Sequence, residues 1–200
     1  MRGPSADVVS ASGIPAAART LAGAFSNDPL WGWVFNDPDH RVEQLTRLWT
    51  LFLDGAVGYG WVRATPSFEA VALWIPPNAP ELPEPHADRL APLVAELLGA
   101  RAALAGEVFD RFDETHPHDA PHFYLSFLGT DPAQRGRGIG MQLLRATLAE
   151  IDAAHEPAYL ESTNPANLAR YESAGFRVAG EFDLPGGGPN ITQMWRPAAA

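Results

Sequence analysis

The apolar spacing of this chain predicts a mixed α/β fold: one twisted mixed sheet of six or seven strands flanked by helices. Two features carry that prediction. Between residues 122 and 182, strand and helix patterns alternate as β-α-β-α-β, at 122–129, 138–154, 158–162, 165–174 and 176–182. Upstream, the runs at 61–64 and 70–75 are separated by a short polar segment, as in an antiparallel pair.

Taken in order, residues 1–12 are small and polar around Val8 and Val9, a ragged tail or one edge strand. Ile14, Ala18, Leu21 and Phe25 form a helical stripe that tolerates Pro15 in its first turn. Residues 26–39 hold two Asp-Pro turn signals around Trp31, Trp33 and Phe35, and read as a structured loop. Asp39 is placed to cap the next helix, whose stripe runs Val42, Leu45, Leu48 or Trp49, Phe52 and Ala56 before Gly58 and Gly60. After the strand at 70–75, the five prolines within 76–85 read as an exposed loop that shapes a substrate mouth. Leu90, Leu93, Leu97, Leu104, Val108 and Phe112 predict one helix, kinked where Gly99 and Gly106 each cost about 1 kcal/mol. A last strand at 190–195 returns as a hairpin after Gly186–Gly188.

At 200 residues and 46% hydrophobic composition, the expectation is one domain, 1–200, with a full core. Apolar runs fall short of a membrane span, and the N-terminus lacks the basic and apolar regions of a secretory signal, so the expected location is cytoplasmic. The absence of cysteine excludes thiolate nucleophiles and disulfides. A net charge of -10 argues against nucleic acid as a partner and suits a cationic ligand; all 14 basic residues are Arg. Monomer or homodimer is the expected state.

The sharpest motif is QRGRGIG at 134–140, between a strand and a helix. A glycine-rich turn feeding a helix N-terminus presents free backbone N–H groups and the positive dipole end, a site for pyrophosphate. Arg135 and Arg137 add charge at its rim. The glycines are spaced GxGxG, not GxGxxG, and no Gly-Lys pair serves a P-loop. A repeated, disordered RNA-binding box does not fit a single motif held between two elements.

With Arg135, Gly138 and Gly140 in the pattern Q/RxxGxG/A, the chain resembles the GNAT superfamily of N-acetyltransferases. LGTDPAQRGRGIG and AYLESTNPANLARYESAGF are similar to the cofactor half of its puromycin N-acetyltransferase-like branch, and DPDHRVEQLTRLWTLFL and VALWIPP more loosely to its N-terminal half. The resemblance implies a sheet splayed near Leu128, with acetyl-CoA as co-substrate in the gap and no metal. It makes 13–122 the acceptor-shaping half and 123–196 the acetyl-CoA-binding half. Backbone groups of Leu128, Gly129 and Thr130 would hold the pantetheine and polarise the thioester. Arg135, Gly136, Arg137, Gly138, Ile139 and Gly140 would cradle the pyrophosphate, with Asn164 and Asn167 also contacting CoA. Tyr171 would protonate the departing thiolate.

An amine with a pKa of about 10 must lose a proton before it attacks, and Glu161, or a water, is the acceptor the resemblance implies. His116, His118 and His122 lack further ligand spacing for a metal; they lie in a proline-flanked stretch read as a solvated loop, from which His122 lines the cleft as a second proton acceptor. Trp31 and Phe35 are either a lid over the acceptor or core packing. The function implied is acetyl transfer to an amine of a small molecule, an antibiotic or related metabolite included. Two alternatives stay open: a protein or peptide N-acetyltransferase, and a non-catalytic acyl-CoA-binding regulatory module.

Overall fold

The computed structural model describes residues 6–199, so the first five positions of the expected tail lie outside the described residues. Seven strands are found among those described: β1 (Asp7–Val8), β2 (Val62–Ala64), β3 (Ala70–Ile75), β4 (Phe123–Thr130), β5 (Ala158–Ser162), β6 (Arg177–Asp183) and β7 (Asn190–Arg196). They form one sheet in the order β1-β2-β3-β4-β5-β7-β6, with every neighbouring pair antiparallel except β4 and β5. The weak Val8 signal is the edge strand β1, paired through Asp7 and Val8 to Ala64 and Arg63.

β3 lies inside the sheet between β2 and β4, and all six of its residues are buried, which explains its unbroken apolar run. Val71, Leu73 and Ile75 face a layer built by α1 (Ile14–Phe25), α2 (Pro29–Val34), α3 (Arg41–Ala56), α4 (Ala87–Leu98) and α5 (Ala102–Thr115). Ala70, Ala72 and Trp74 face α6 (Ile139–Ala153), whose Leu143, Leu144, Leu148 and Ile151 fill the opposite core. The short α7 (Leu168–Glu172) borders that second core through Leu168 and Tyr171.

Four expectations are corrected. The aromatic stretch at 26–39 contains α2, because Asp-Pro here is an N-cap followed by a proline at the first helical position: Asp28 Oδ1 accepts from the N–H of Leu30 at 3.0 Å and of Trp31 at 3.4 Å. Asp39 does not cap α3; His40 occupies the N-cap, and Asp37 instead binds the Asp39 N–H and the His40 ring. The single helix expected over 90–112 is two, α4 and α5, broken at Gly99, whose φ of 51° and ψ of -119° no helix accommodates. Residues 165–167 form a 3₁₀ turn ahead of α7, so the expected helix at 165–174 is shorter.

Candidate active site

β4 and β5 pair over only two positions, Phe123 with Ala158 and Tyr124 with Tyr159. Beyond them each strand turns an unpaired edge toward the other, and a gap opens in the middle of the sheet. On its far side β4 slips register against β3 between Leu73 and Trp74, which leaves Ser126 without a β3 partner. α1 lies tight against this region: a Cβ at Gly129 would sit 2.9 Å from both Leu21 and Ala24 side chains.

Past the end of β4 the chain makes the glycine turn. Gly136 and Gly138 adopt φ of 80° and 74°, left-handed values open to glycine, and Gly138 is the N-cap of α6. A Cβ at Gly140 would collide with Thr130 Oγ1, so this helix start is pressed onto the strand end. The first-turn N–H groups of α6 have no intrahelical acceptor and carry the positive end of its dipole. Asp131 caps the turn through the Ala133 N–H at 2.9 Å, and Arg135 Nη2 donates to Ala24 O at 2.6 Å, tying the loop to the end of α1. The Arg137 guanidinium donates to the Gln134 side chain. A glycine cradle, an exposed helix start and a split sheet together fit a nucleotide-bearing thioester, whose diphosphate meets the N–H groups and whose pantetheine lies in the gap.

The gap widens into a cavity of about 900 Å³. Leu128, Asn167 and Tyr171 line one side of it, and Trp31, Phe52, Phe109 and Phe112 form an apolar wall. Between them lies Glu161 on β5. Its side chain is 2% exposed, and neither carboxylate oxygen has a hydrogen-bond partner among the described residues. Such a group is costly unless a ligand supplies the missing donor. Burial and then the Glu161 charge raise the pKa of Tyr124 and of Tyr159, so both phenols stay neutral. Tyr159 Oη also accepts from Gln193 Nε2 at 2.9 Å.

Facing Glu161 is a second carboxyl group, Glu81, held by a 2.5 Å hydrogen bond from Ser126 Oγ. Burial pushes Glu81 up to about 7 against that hydrogen bond, and the Glu161 charge adds to the rise. Between pH about 4.5 and about 7 the folded protein therefore holds more protons at Glu81 than the unfolded chain, and this group's contribution to stability declines as pH rises through that window. Glu81→Gln is expected to flatten the fall of Tm across this window; an unchanged slope in thermal melts would place the titration elsewhere.

Tyr171, on α7, packs edge-on to Phe176 with ring centroids 6.2 Å apart. Burial pushes its hydroxyl up to about 12, with the Asp28 charge adding, so it stays a proton donor at working pH. Asp28 itself is raised by burial and accepts from Thr163 Oγ1 at 2.7 Å, which clamps the start of α2 to the end of β5.

The structure gathers Leu128, Glu161, Asn167, Tyr171, Trp31 and His122 around one cavity. Asn164 is spent on local structure, its Oδ1 accepting the Ala166 N–H, while Asn167 Oδ1 accepts from Arg170 Nη1. Phe35 is buried in the core beside Trp31 and does not line the cavity. Trp33 packs on Gly186 and Gly188. The histidine stretch is a loop exposed at 118–121, as expected, but its two ends are covered: His116 is half-buried, and His122 is 8% exposed, packed among His116, Tyr159 and Trp195. Nor is 76–85 wholly exposed, since Glu81 and Leu82 turn inward. Glu81, Ser126, Tyr124 and Asp28 were not foreseen as site residues; only Asp28 carried a signal, its Asp-Pro pair.

A split sheet beside a glycine-rich helix start fits a protein of the acyl-CoA-binding class. The profile of the acetyltransferase (GNAT) family matches residues 33–176, and the chain belongs to that family. It is an acetyl-transferring enzyme, and the family's acetyl donor is acetyl-CoA. The chain is similar, at 25% identity and a TM-score of 0.71, to a Corynebacterium glutamicum protein described as histone acetyltransferase HPA2 and related acetyltransferase, over 100% of this chain and 98% of that one. Arylalkylamine N-acetyltransferase 2 from Aedes aegypti shares the fold at 13% identity and a TM-score of 0.56, covering 98% and 99% of the two chains. So does a chain of the NatC complex bound to Gag peptide and CoA, at 14% identity and 0.55, covering 99% and 100%. The helices of the described residues include none long and apolar enough to cross a membrane.

Proposed function

We propose that this enzyme acetylates a primary amine of a small molecule whose body is apolar or aromatic. The observation that carries this reading is the buried Glu161 carboxylate, short of hydrogen-bond donors among the described residues and with His116 Nδ1 at 3.6 Å, facing an aromatic wall across a cavity of about 900 Å³. An ammonium satisfies the carboxylate, and the wall of Trp31, Phe52, Phe109 and Phe112 takes the rest of the molecule. Residues 78–82 of the proline-rich segment line one side of the cavity and narrow it, which favours a small molecule over a peptide in an open groove. An antibiotic or related metabolite with such an amine fits, in line with the sequence likeness to the puromycin N-acetyltransferase-like branch.

In this reading both substrates are held together. Glu161 takes one proton from the ammonium, and the free amine attacks the thioester carbonyl. N–H groups on the unpaired edge of β4 steady the oxyanion. A C–N bond forms, the C–S bond breaks, and Tyr171 protonates the thiolate; the second amine proton restores Tyr171. The sum is amide, neutral thiol and one proton released.

The test is free-thiol release from acetyl-CoA across a panel of primary amines, aminated antibiotics included. Tyr171→Phe is expected to lower amine-dependent kcat by roughly tenfold or more, with the KM for acetyl-CoA little changed. Binding of CoA with no amine-stimulated release across the panel would replace this reading with that of a non-catalytic module.

A further inference from the structure

The cavity holds more negative charge than one ammonium answers. Four carboxyl groups line it, Glu81, Asp110, Asp113 and Glu161, and no arginine stands among its described lining residues. The basic side chains there are His116, His118 and His122, and burial pushes the His122 ring toward its neutral form. With all four carboxyls ionised and both His116 and His118 charged, two negative charges are still left over.

Two of the four sit on opposite lips of the split sheet. Tyr124 and Tyr159 are the last pair between β4 and β5. Ser126 and Glu161 each stand two residues beyond that pair, one on either strand, and both line the cavity. Ser126 Oγ donates to Glu81 at 2.5 Å and so ties the Glu81 carboxyl to the β4 lip. Glu161 holds the β5 lip; its side chain is 2% exposed, and both oxygens are short of a well-formed hydrogen bond among the described residues, with His116 Nδ1 at 3.6 Å. Paired strands run about 4.8 Å apart, and these have parted, so the anchors of the two carboxyls are separated by at least that spacing. Two like charges held apart in one low-dielectric cavity call for two cations joined by a spacer.

We propose that the acceptor is a diamine: the nitrogen to be acetylated lies at Glu161, and a second ammonium, about one strand spacing or more away, lies at Glu81. The inference rests on the reading of Glu161 as the seat of the acetylated amine. The apolar wall of Trp31, Phe52, Phe109 and Phe112 takes the spacer. One acetyl group moves: the C–N bond forms at the nitrogen beside Glu161, the C–S bond breaks, the thiol leaves neutral, one proton is released, and the second nitrogen keeps its charge. The product carries a single cation and is therefore a poor acceptor for a second round. Glu81 sets specificity, and Ser126 positions it.

The groups facing Glu81 are Ser126 and Tyr124 from β4, Glu161 from β5, Asp113 from α5 and His116 just after it. Burial pushes Glu81 up to about 7, so it is largely protonated at pH 6 and ionised at pH 8, whereas alkylamines with pKa values of about 10 stay charged at both. The preference for a second ammonium therefore grows with pH. Loss of charge from a histidine over the same interval would leave that growth in place when Glu81 is neutralised.

The experiment measures thiol release from acetyl-CoA by the full chain, wild type and Glu81→Gln, with hexane-1,6-diamine against hexylamine and 1,4-bis(aminomethyl)benzene against 4-methylbenzylamine. The readout is the diamine-to-monoamine ratio of kcat/KM, in which effects common to both acceptors cancel. In the wild type at pH 8 the ratio is expected to reach roughly 10- to 100-fold, the worth of one charge-assisted hydrogen bond, beyond the factor of about two that two equivalent nitrogens give. It should shrink at pH 6, and in Glu81→Gln it should fall to about that statistical factor at both pH values. Mass spectrometry should show one acetyl group added per diamine. A wild-type ratio at pH 8 no larger than the statistical factor, a ratio that does not rise from pH 6 to pH 8, or a Glu81→Gln enzyme that keeps the full preference would overturn the diamine assignment; the pH comparison needs no variant to fold. If no amine stimulates release by the wild type, the acetyl-transfer reading fails and this one with it, whereas brisk turnover of monoamines without a diamine preference sinks this one alone.

Discussion

Glu161→Gln is expected to lower kcat/KM by about 10²- to 10⁴-fold, the range a positioned base contributes, while raising Tm. The two effects have one origin. The carboxylate is buried, with both oxygens short of a well-formed hydrogen bond among the described residues; the neutral hydroxyls of Tyr124 and Tyr159 lie near it, and a His116 ring nitrogen is 3.6 Å away. Without substrate, that charge is a liability; with an ammonium beside it, the liability becomes binding and proton transfer. Gln keeps the shape, removes the charge and removes the basicity. Each kcal/mol so recovered is worth roughly 2–4 °C in a chain of this size. Steady-state kinetics on the best amine of the panel and a thermal melt of the unliganded protein read the two halves separately. A variant that is slower but less stable would mean that the carboxylate holds a structural contact, and one equally active would move the base to Glu81 or to water.

How far the sequence goes toward this site follows from which physics is local. The glycine turn and its helix were legible because φ values near 75° at Gly136 and Gly138, and the contact of Gly140 with Thr130, leave marks in residue type. The strand patterns were legible from period and length, including the double-faced run of β3. What was lost depended on distant contacts. Glu81 sits between prolines in a stretch that looks like solvent-exposed linker; only the Ser126 hydroxyl, 45 residues away and exposed to it by a register slip, draws it inward. The packing of His116 on His122 needs Tyr124, Tyr159 and Trp195 from three strands. The break between α4 and α5 turned on which of two glycines would bend: Gly99 left the helix, whereas Gly106 stayed inside α5. Trp31 lies on α2 whereas Phe35 falls just past its end, where φ of -96° and ψ of 74° have left the helix; both are buried, and of the two Trp31 also lines the cavity.

The second large effect expected is on stability. Trp74 is fully buried at the middle of the sheet, against Leu143 and Leu144 of α6 and Phe123 and Leu125 of β4, and its Nε1 donates to Thr147 Oγ1 at 3.0 Å. Trp74→Ala is expected to cost about 3–5 kcal/mol, and Tm should fall by roughly 10 °C or more. The damage is mainly lost packing, because the Thr147 hydroxyl also donates to the carbonyls of Leu143 and Leu144 and keeps that partner. Trp74→Phe separates the contributions: it retains most of the apolar volume, gives up the indole hydrogen bond, and should cost closer to about 1 kcal/mol for the bond itself. The same core sets how the first turn of α6 meets the end of β4, so the Ala variant is also expected to bind acetyl-CoA more weakly while still folded, whereas Phe is not. Chemical denaturation of both variants alongside calorimetric CoA binding tests this coupling. If Trp74→Ala lost stability but bound CoA like the wild type, the helix start would be held by Gly140 against Thr130 and by Arg135 on Ala24, independently of the core beneath it.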